Sequence, residues 1–239
     1  LASKRSTVTI YSINSCDVKH SFETEAMMKV FVAGATGRVG QELVARLIRN
    51  GHEVVAASRG AQDAHWPDGV EALEFDFHED VNHMEDQLRG CDAAYFVAGS
   101  RGKDLLQVDA FGAVKLMQAA QAAGTDRFIM LSSIFSQQPE KWAEEPSLAP
   151  ITNYNIAKFF ADEWLTELSD LNWTVVQPSV LKEEPATGNI EINPEHDGQN
   201  PIPDVAEVLA KVLEMPNTYH RVIMMRSGAT PIHEALAAI

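Results

Sequence analysis

Three glycines spaced three residues apart constrain the fold of this chain more than any other feature. Gly34, Gly37 and Gly40 follow a β-rich apolar run at residues 29–33 and overlap the start of an amphipathic segment at Arg38. A glycine turn between a strand and a helix directs backbone N–H groups and the helix dipole toward a phosphate. Gly34 suits the tight turn, Gly37 lets phosphates approach, and Gly40 lets helix and strand pack. The pattern predicts a nucleotide site, although the spacing alone also occurs in ordinary strand-to-helix turns.

Strand-like and helix-like segments alternate along the chain, which is typical of a parallel sheet with helices on both faces. Short β-rich strands are predicted at residues 29–33, 53–58, 70–75, 93–97, 127–131 and 173–177. Amphipathic or apolar helices are predicted at residues 38–49, 104–123 and 154–168. We therefore predict an α/β fold with a Rossmann-like doubly wound parallel sheet in the order 3-2-1-4-5-6, with ligand beyond the carboxyl ends of the strands.

The sequence changes character after Pro178. Residues 182–203 are rich in Glu, Pro, Gly and Asn. Further elements are predicted as strands at 189–192 and 222–225 and as helices at 204–213 and 233–239. We predict that residues 28–239 form a single nucleotide-binding domain, to which residues 182–239 contribute a small C-terminal substrate lobe.

Residues 1–26 are predicted to lie outside this domain. Lys4 and Arg5 are not followed by an apolar segment, so a secretory signal is not indicated. Met27 and Met28 directly precede the first predicted strand, which suggests the natural start. We expect residues 1–26 to be a disordered leader, left by an expression tag or by an upstream start.

Charge and composition exclude several classes of partner. The chain has 239 residues, and 34 acidic against 19 basic side chains give a net charge of -15, which repels nucleic acid and anionic lipid. No run approaches the ~18 continuous apolar residues that span a bilayer. Cys16 and Cys91 are too few for a disulfide framework, and His78 and His83 do not have a convincing metal-site spacing. We expect a cytoplasmic monomer or homodimer that acts on a small molecule without a metal.

A tyrosine and a lysine four residues apart are candidates for chemistry. Tyr154 and Lys158 lie near the start of a predicted helix, where this spacing places phenol and ammonium on one face. A nearby ammonium favours phenolate, which predicts a tyrosine pKa below its usual ~10 and proton transfer near neutral pH. Ser132 and Ser133 end the fifth predicted strand, at the sheet edge where a substrate oxygen would lie. A surface pair is the alternative interpretation of Tyr154 and Lys158 taken alone.

Six pieces of the sequence, in this order, resemble the short-chain dehydrogenase/reductase family. The similarity is to its atypical, single-lobed branch of NAD(P)-binding, NAD-dependent epimerase/dehydratase-like oxidoreductases, and it covers residues 28–239. The matching pieces are Gly-Ala-Thr-Gly-Arg-Val-Gly at 34–40, Phe-Asp-Phe at 75–77, Leu-Ser-Ser at 131–133, Tyr-Asn-Ile-Ala-Lys at 154–158, Gln-Pro-Ser at 177–179 and Pro-Asp-Val-Ala at 203–206.

The resemblance implies a role for each matching residue. Ser133 would hold the substrate oxygen, Tyr154 would transfer the proton, and Lys158 would also bind the nicotinamide ribose. The implied cofactor contacts are Thr36, Gly37, Arg38 and Val39 at the pyrophosphate, Asp76 and Phe77 at the adenine, Val97, Ala98 and Gly99 at the ribose, and Pro178, Ser179, Val180 and Leu181 at the nicotinamide. A solvated turn residue at Asp76 and a strand stop at Pro178 are the alternatives.

Residues near the second strand favour NADP(H) over NAD(H). An NAD site places an acidic side chain at the end of that strand, ~20 residues after the glycine turn. Ala57, Ser58 and Arg59 occupy this position, and Arg59 together with Arg38 could pair with a 2′-phosphate. Arg59 facing solvent is the alternative.

The resemblance thus implies an NADP(H)-dependent oxidoreductase that moves hydride between nicotinamide and a small carbonyl or alcohol. A nucleotide-sugar epimerase or dehydratase and a non-catalytic NADP(H)-sensing protein are the alternatives. One residue departs from the family pattern: many members have an asparagine in the helix after the fourth strand, which supports a water-linked proton path, where this chain has Asp109. Because a carboxylate cannot donate an amide hydrogen bond, the proton path could differ here.

Overall fold

A nine-stranded, mostly parallel sheet organises residues 27–239, the part of the chain that the computed structural model describes. The strands are β1 (Lys29–Ala33), β2 (Glu53–Ala57), β3 (Val70–Leu73), β4 (Ala93–Phe96), β5 (Arg127–Leu131), β6 (Asn172–Pro178), β7 (Val180–Lys182), β8 (Asn189–Ile192), β9 (Gln199–Pro201), β10 (Arg221–Ser227) and β11 (Thr230–Pro231). The helices are α1 (Arg38–Arg49), α2 (Val81–Leu88), α3 (Phe111–Ala123), α4 (Thr152–Leu168), α5 (Ile202–Val212) and α6 (Ile232–Ala237). The leader predicted at residues 1–26 lies outside the described residues.

The predicted strand order is confirmed for the first six strands. The sheet runs β11-β8-β10-β6-β5-β4-β1-β2-β3, so the order 3-2-1-4-5-6 is intact and three further strands extend the β6 edge. There β10 is parallel to β6, while β8 is antiparallel to β10 and β11 is antiparallel to β8. A separate two-stranded sheet pairs β7 with β9. Much of the region predicted as a C-terminal lobe therefore continues the main sheet.

Helices cover both faces of the sheet, because alternate residues of each central strand point to opposite sides. Val30 and Val32 of β1 pack in the core under α1, α5 and α6. Phe31 and Ala33 of the same strand pack in the second core, under α2, α3 and α4. This double burial explains the continuous apolar runs that predicted buried parallel strands.

The long helix predicted at residues 104–123 is divided in two. Its first part, Leu105–Ala110, is a π-helical turn, and the α-helix begins only at Phe111. It ends at Gly124, whose left-handed φ of 77° closes the helix. Within residues 27–239, no helix is both long and apolar enough to cross a membrane.

Candidate nucleotide and active site

The glycine turn between β1 and α1 requires glycine at Gly34 and Gly40. Gly34 has a φ of +95°, and a Cβ there would lie 2.6 Å from the backbone nitrogen of Ala98. A Cβ on Gly40 would lie 2.7 Å from the carbonyl oxygen of Ala35 and closer still to that of Gly34. The amide of Gly37 donates to the Gly34 carbonyl at 2.9 Å, which completes the tight turn. A side chain at Gly40 would push α1 away from β1, and one at Gly34 would displace the segment after β4.

The N-terminus of α1 fits a pyrophosphate. Gly37 is its N-cap residue, no side chain of the described residues caps it, and its first turn has no acidic residue. Its first N–H groups and the positive end of the helix dipole are thus left for an anion. Arg38 and Val39 line a cavity here together with the segment 97–99 that follows β4.

Three cavities of about 240, 250 and 330 Å³ share lining residues and form one cleft along the carboxyl edge of the sheet. The two cavities beside the glycine turn share the lining residues Gly37, Val97, Ala98 and Gly99. Arg38, Tyr154 and Leu181 are shared with the largest cavity. The cleft follows the course that the family resemblance implies for a dinucleotide.

The cavity next to β2 lies at the end of the cleft where the resemblance implies the adenosine, and we call it the adenosine end. It is lined by Thr36, Ser58 and Arg59, and by Phe77 after β3. Lys115 of α3 fixes the position of Phe77, because its buried ammonium donates to the carbonyl oxygens of Phe77 and Glu79. Sequence reasoning missed Phe75, Ser100, Arg101 and Val108, which also line this cavity.

Asp76 does not line this cavity. Its Oδ1 lies 2.7 Å from Nδ1 of His78, and Nε2 of His78 lies 2.8 Å from Oδ2 of Asp104. These hydrogen bonds raise the pKa of His78 above its usual 6.5. Although partial burial acts in the opposite direction, His78 lowers the pKa of Asp76 below 3.8. Asp76 thus connects two loops at the adenosine end through His78.

The two arginines that were expected to share a 2′-phosphate lie in different cavities. Arg59 lines the adenosine end with Ser58, directly after β2. Arg38 lines the opposite end with Tyr154, and its Nη1 lies 3.2 Å from Oε1 of Glu183. The placement of Arg38 does not support a contact between this residue and a 2′-phosphate, because its side chain points toward the segment between β7 and β8.

The cavity of about 330 Å³ brings the predicted reactive residues together. Ser133, Tyr154 and Lys158 all line it, beside the strand β7 and the residues that precede it. Pro178, Ser179 and Val180 form that side of the cavity, as the resemblance implies. Another side is closed by Ser147, Leu148 and Ile151, which lie in the loop 135–153 that was expected to shape the substrate pocket. They were not singled out individually, because no pattern marks which residues of a loop turn inward.

Lys158 lies deep in this cavity. Its Nζ donates to the Leu131 carbonyl at 2.8 Å and lies 5.1 Å from the centroid of the Phe96 ring and 6.0 Å from that of Tyr154. Burial lowers the pKa of Lys158 below 10.5, while Asp162 and Asp109 oppose this effect. Phenol and ammonium therefore share one face of α4, as their spacing predicted.

The prediction that Lys158 lowers the pKa of Tyr154 is wrong for this structure. Burial raises the pKa of Tyr154 above its usual 10.0, and the negative charges of Asp109 and Asp162 raise it further. The ammonium lies near the face of the phenol ring, which is the geometry of a cation–π contact. Tyr154 is therefore held as a neutral phenol, the form that donates a proton.

A buried polar network behind the cavity was missed by sequence reasoning. Oδ2 of Asp162 accepts hydrogen bonds from Ser132 Oγ at 2.6 Å, from Ser136 Oγ and from Gln177 Nε2 at 3.0 Å. The sequence gives only a weak signal for Asp162, which lies one further helical turn beyond Tyr154 and Lys158, in a mostly apolar segment.

Asp109, the departure from the family pattern, is fully buried in the π-helical turn. Its carboxylate accepts the backbone N–H of Ser100 at 3.1 and 3.2 Å. It thereby holds the segment after β4 that lines the cleft, and it contributes negative charge near Tyr154 and Lys158.

Metal ligands and reactive thiols do not feature in this site. Between residues 27 and 239, His, Cys, Asp and Glu side chains form no group of three that could hold a metal ion. Cys91 is a buried free thiol, and burial raises its pKa to about 11, which makes it unreactive.

Comparison with known proteins agrees with this geometry. A family model described as NAD(P)H-binding matches residues 34–216. The uncharacterized sugar epimerase YhfK of Bacillus subtilis (strain 168) is 36% identical, over 87% of this chain and 99% of its own length. The solved oxidoreductase ylbE from Lactococcus lactis is 43% identical with a TM-score of 0.86, over 89% of this chain and 96% of its own.

A more distant structure shares the fold alone. A short-chain dehydrogenase/reductase from Veillonella parvula DSM 2008, solved in complex with NADP, has a TM-score of 0.70 at 18% identity and covers 86% of this chain and 97% of its own. The family match covers most of the described residues, and the relatives align over almost their whole length. The chain therefore belongs to the NAD(P)H-binding family, among oxidoreductase- and epimerase-like proteins.

Proposed function

We propose that the protein is an NADP(H)-dependent oxidoreductase that reduces a small carbonyl substrate. The observation that carries the proposal is the convergence of Ser133, Tyr154 and Lys158 in one cavity that is continuous with the glycine turn. A proton donor, a hydrogen-bond donor and a cation thus lie where the nicotinamide end of the cofactor would be. Bound NADPH would supply the hydride.

Ser133, Tyr154 and Lys158 would each have a separate role in the reduction of the carbonyl. The hydroxyl of Ser133 would donate a hydrogen bond to the carbonyl oxygen of the substrate and polarise it. Tyr154 would donate a proton to the same oxygen as the alcohol forms. The raised pKa of Tyr154 favours this direction, because the phenol keeps its proton until the oxygen becomes basic. Lys158 would provide positive charge beside the resulting phenolate.

NADP(H) is preferred over NAD(H) in this proposal because of Arg59. It directly follows Ser58 at the end of β2 and lines the adenosine end of the cleft, where NAD-specific sites have an acidic residue. A guanidinium there can pair with a 2′-phosphate through two hydrogen bonds. The NADP reported for the distant relative of Veillonella parvula agrees with this preference.

A sugar epimerase is the second candidate, because YhfK carries that description and matches this chain over almost its whole length. The same three side chains could support a transient oxidation of a sugar. The two candidates differ in their cofactor balance. A reductase consumes NADPH as product forms, whereas an epimerase converts its substrate without net change in the cofactor.

The test is a screen of NADPH oxidation with aldehydes, ketones, quinones and nucleotide sugars, followed by the variant Tyr154→Phe. We expect this variant to lower kcat by ~10²-fold or more while the Kd for NADPH stays unchanged. Tyr219→Phe is the matched control, because Tyr219 stacks on Arg127 away from the cleft. Equal activity of Tyr154→Phe would remove Tyr154 from the mechanism. NADPH binding without turnover of any compound would favour a sensing protein.

A further inference from the structure

A row of three polar side chains extends along α4 from the cavity into the core. Tyr154, Lys158 and Asp162 are spaced four residues apart, so they occupy successive turns of one helix face. Tyr154 and Lys158 line the cavity, whereas Asp162 is fully buried behind them. The carboxylate therefore touches neither substrate nor cofactor.

One oxygen of Asp162 organises the turn that carries Ser133. Ser132 and Ser136 both donate to Oδ2, from either side of Ser133, and Gln177 of β6 donates to the same atom. The backbone N–H of Ser132 also donates to the Val176 carbonyl at 2.8 Å. The turn is thereby fixed to α4 and β6, and it holds Ser133 at the cavity wall together with Ser132 and Ile134.

The other oxygen of Asp162 makes no hydrogen bond to the turn or to β6. Oδ1 is buried and has no hydrogen-bond partner among residues 27–239. An unpaired buried carboxylate oxygen is costly unless a positive charge compensates it. Lys158, one turn away, has three donors, of which one is used on the Leu131 carbonyl. The two charged groups of the row are thus each other's compensation in an apolar core.

We propose that Asp162 is a positioning residue of the active site, which fixes the Ser133 turn through Oδ2 and supplies the counter-charge that keeps Lys158 protonated. Its catalytic consequence rests on the proposed reductase function. The electrostatic part does not, because the protonation of Lys158 can be measured without turnover.

The titratable groups around this pair set the expected pH behaviour. Tyr154 and Asp162 face Lys158 from α4, and Asp109 faces it from the π-helical turn. Burial raises the pKa of Asp162 to about 6, while the hydrogen bonds to its carboxylate and the charge of Lys158 oppose this. Well above pH 6 the carboxylate is therefore mostly ionised, and its negative charge stabilises the protonated form of Lys158. Removal of its charge would lower the pKa of Lys158 further.

The first experiment titrates Lys158 by NMR in protein labelled with ¹³C at the lysine ε-carbon, with the signal assigned by its loss in Lys158→Met. In Asp162→Asn we expect the pKa of Lys158 to fall by about one unit or more, because an opposite charge nearby has been removed. Glu163→Gln is the matched control: it removes a charge from the next residue of α4, which bonds Gln137 instead. It should leave the pKa of Lys158 unchanged.

The second experiment measures the pH dependence of kcat for NADPH oxidation. Asp162→Asn should move the alkaline limb of the profile to lower pH and reduce kcat, with the KM for NADPH unchanged. Asp162→Glu, which restores the charge, should move the limb back toward the wild-type position. A purely structural role would lower thermal stability without moving the limb. If the wild-type enzyme turns over no substrate, the proposed function fails and the NMR titration alone decides this inference.

Two results would overturn the inference. One is an unchanged Lys158 pKa in a folded Asp162→Asn protein. The other comes from the wild-type protein, so it applies even if that variant does not fold. If the two groups are coupled, the Lys158 signal should show a second inflection near pH 6, where Asp162 is expected to titrate. A single inflection would mean that the two groups are not coupled.

Discussion

Under the proposed function, a single side chain decides which dinucleotide the cleft prefers. Ser58 and Arg59 follow β2, and both line the adenosine end. Neither can repel a 2′-phosphate, and Arg59 can bind it. Arg38, the other arginine that could have bound the 2′-phosphate, lies beside Glu183 at the far end of the cleft. Cofactor preference should therefore depend on one residue.

Arg59→Ala should weaken NADPH binding and leave NADH binding unchanged. A hydrogen bond to a charged group contributes about 1.5–3 kcal/mol, so the Kd for NADPH should rise by roughly 10-fold or more. Fluorescence titration with both cofactors measures the change. Arg49→Ala is the control for the lost charge, because Arg49 is exposed at the opposite end of α1 from the glycine turn. A proportional loss of NADH affinity would show that Arg59 does not read the 2′-phosphate.

Sequence reasoning located the residues that are proposed to carry the reaction but not those that support them. Tyr154, Lys158 and Ser133 stand in a spacing that has a chemical meaning, and the structure brings them to one cavity. Asp162 has no such spacing rule of its own. Its importance comes from partners on β6 and in the turn after β5, and those contacts exist only in the folded chain.

At the scale of elements, the strands with a recognisable hydrophobic pattern were predicted from the sequence. Strands β1–β6, β8 and β10 were predicted within two residues at each end. Strands β7, β9 and β11 were missed, because runs of two or three residues show no period. The π-helical turn at Leu105–Ala110 was missed because its cause is tertiary: Asp109 inside it binds the backbone of Ser100.

Gly40→Ala tests the contact between β1 and α1. A Cβ at Gly40 meets the carbonyl oxygens of Gly34 and Ala35, which are backbone atoms and cannot turn aside. Overpacking of this kind costs about 1–3 kcal/mol, and the shift of α1 should also weaken NADPH binding. Urea unfolding and NADPH titration measure the two effects.

Gly51→Ala is the control for the element-scale prediction. Gly51 lies after the other end of α1, and a Cβ there meets nothing within 4 Å. Its φ of +90° makes alanine unfavourable by roughly 1–2 kcal/mol, so stability should fall. NADPH binding should stay unchanged, because the strain is remote from the turn. Normal NADPH affinity in Gly40→Ala would contradict the role given to close helix packing.

The molecule as a whole carries a large negative charge, with 34 acidic and 19 basic side chains and a net charge of -15. Self-repulsion of this kind destabilises a compact state. The ion pairs that could offset it lie mostly at the surface, as between Lys29 and Glu71 or Arg89 and Glu85, and such pairs contribute little. Repulsion should therefore dominate the response of stability to salt.

Added salt should consequently stabilise this protein at neutral pH. Screening shortens the range of repulsion from about 30 Å at 0.01 M to about 8 Å at 0.15 M, while the closest ion pairs lose little. A gain of about 1 kcal/mol would raise the Tm by roughly 2–4 °C in a chain of this size. Thermal unfolding in rising NaCl and KCl measures it, and the two salts should act equally. The effect should shrink near the sequence pI of 4.9, where the net charge approaches zero. A Tm that falls with salt at pH 7 would mean that attractive pairs outweigh the repulsion.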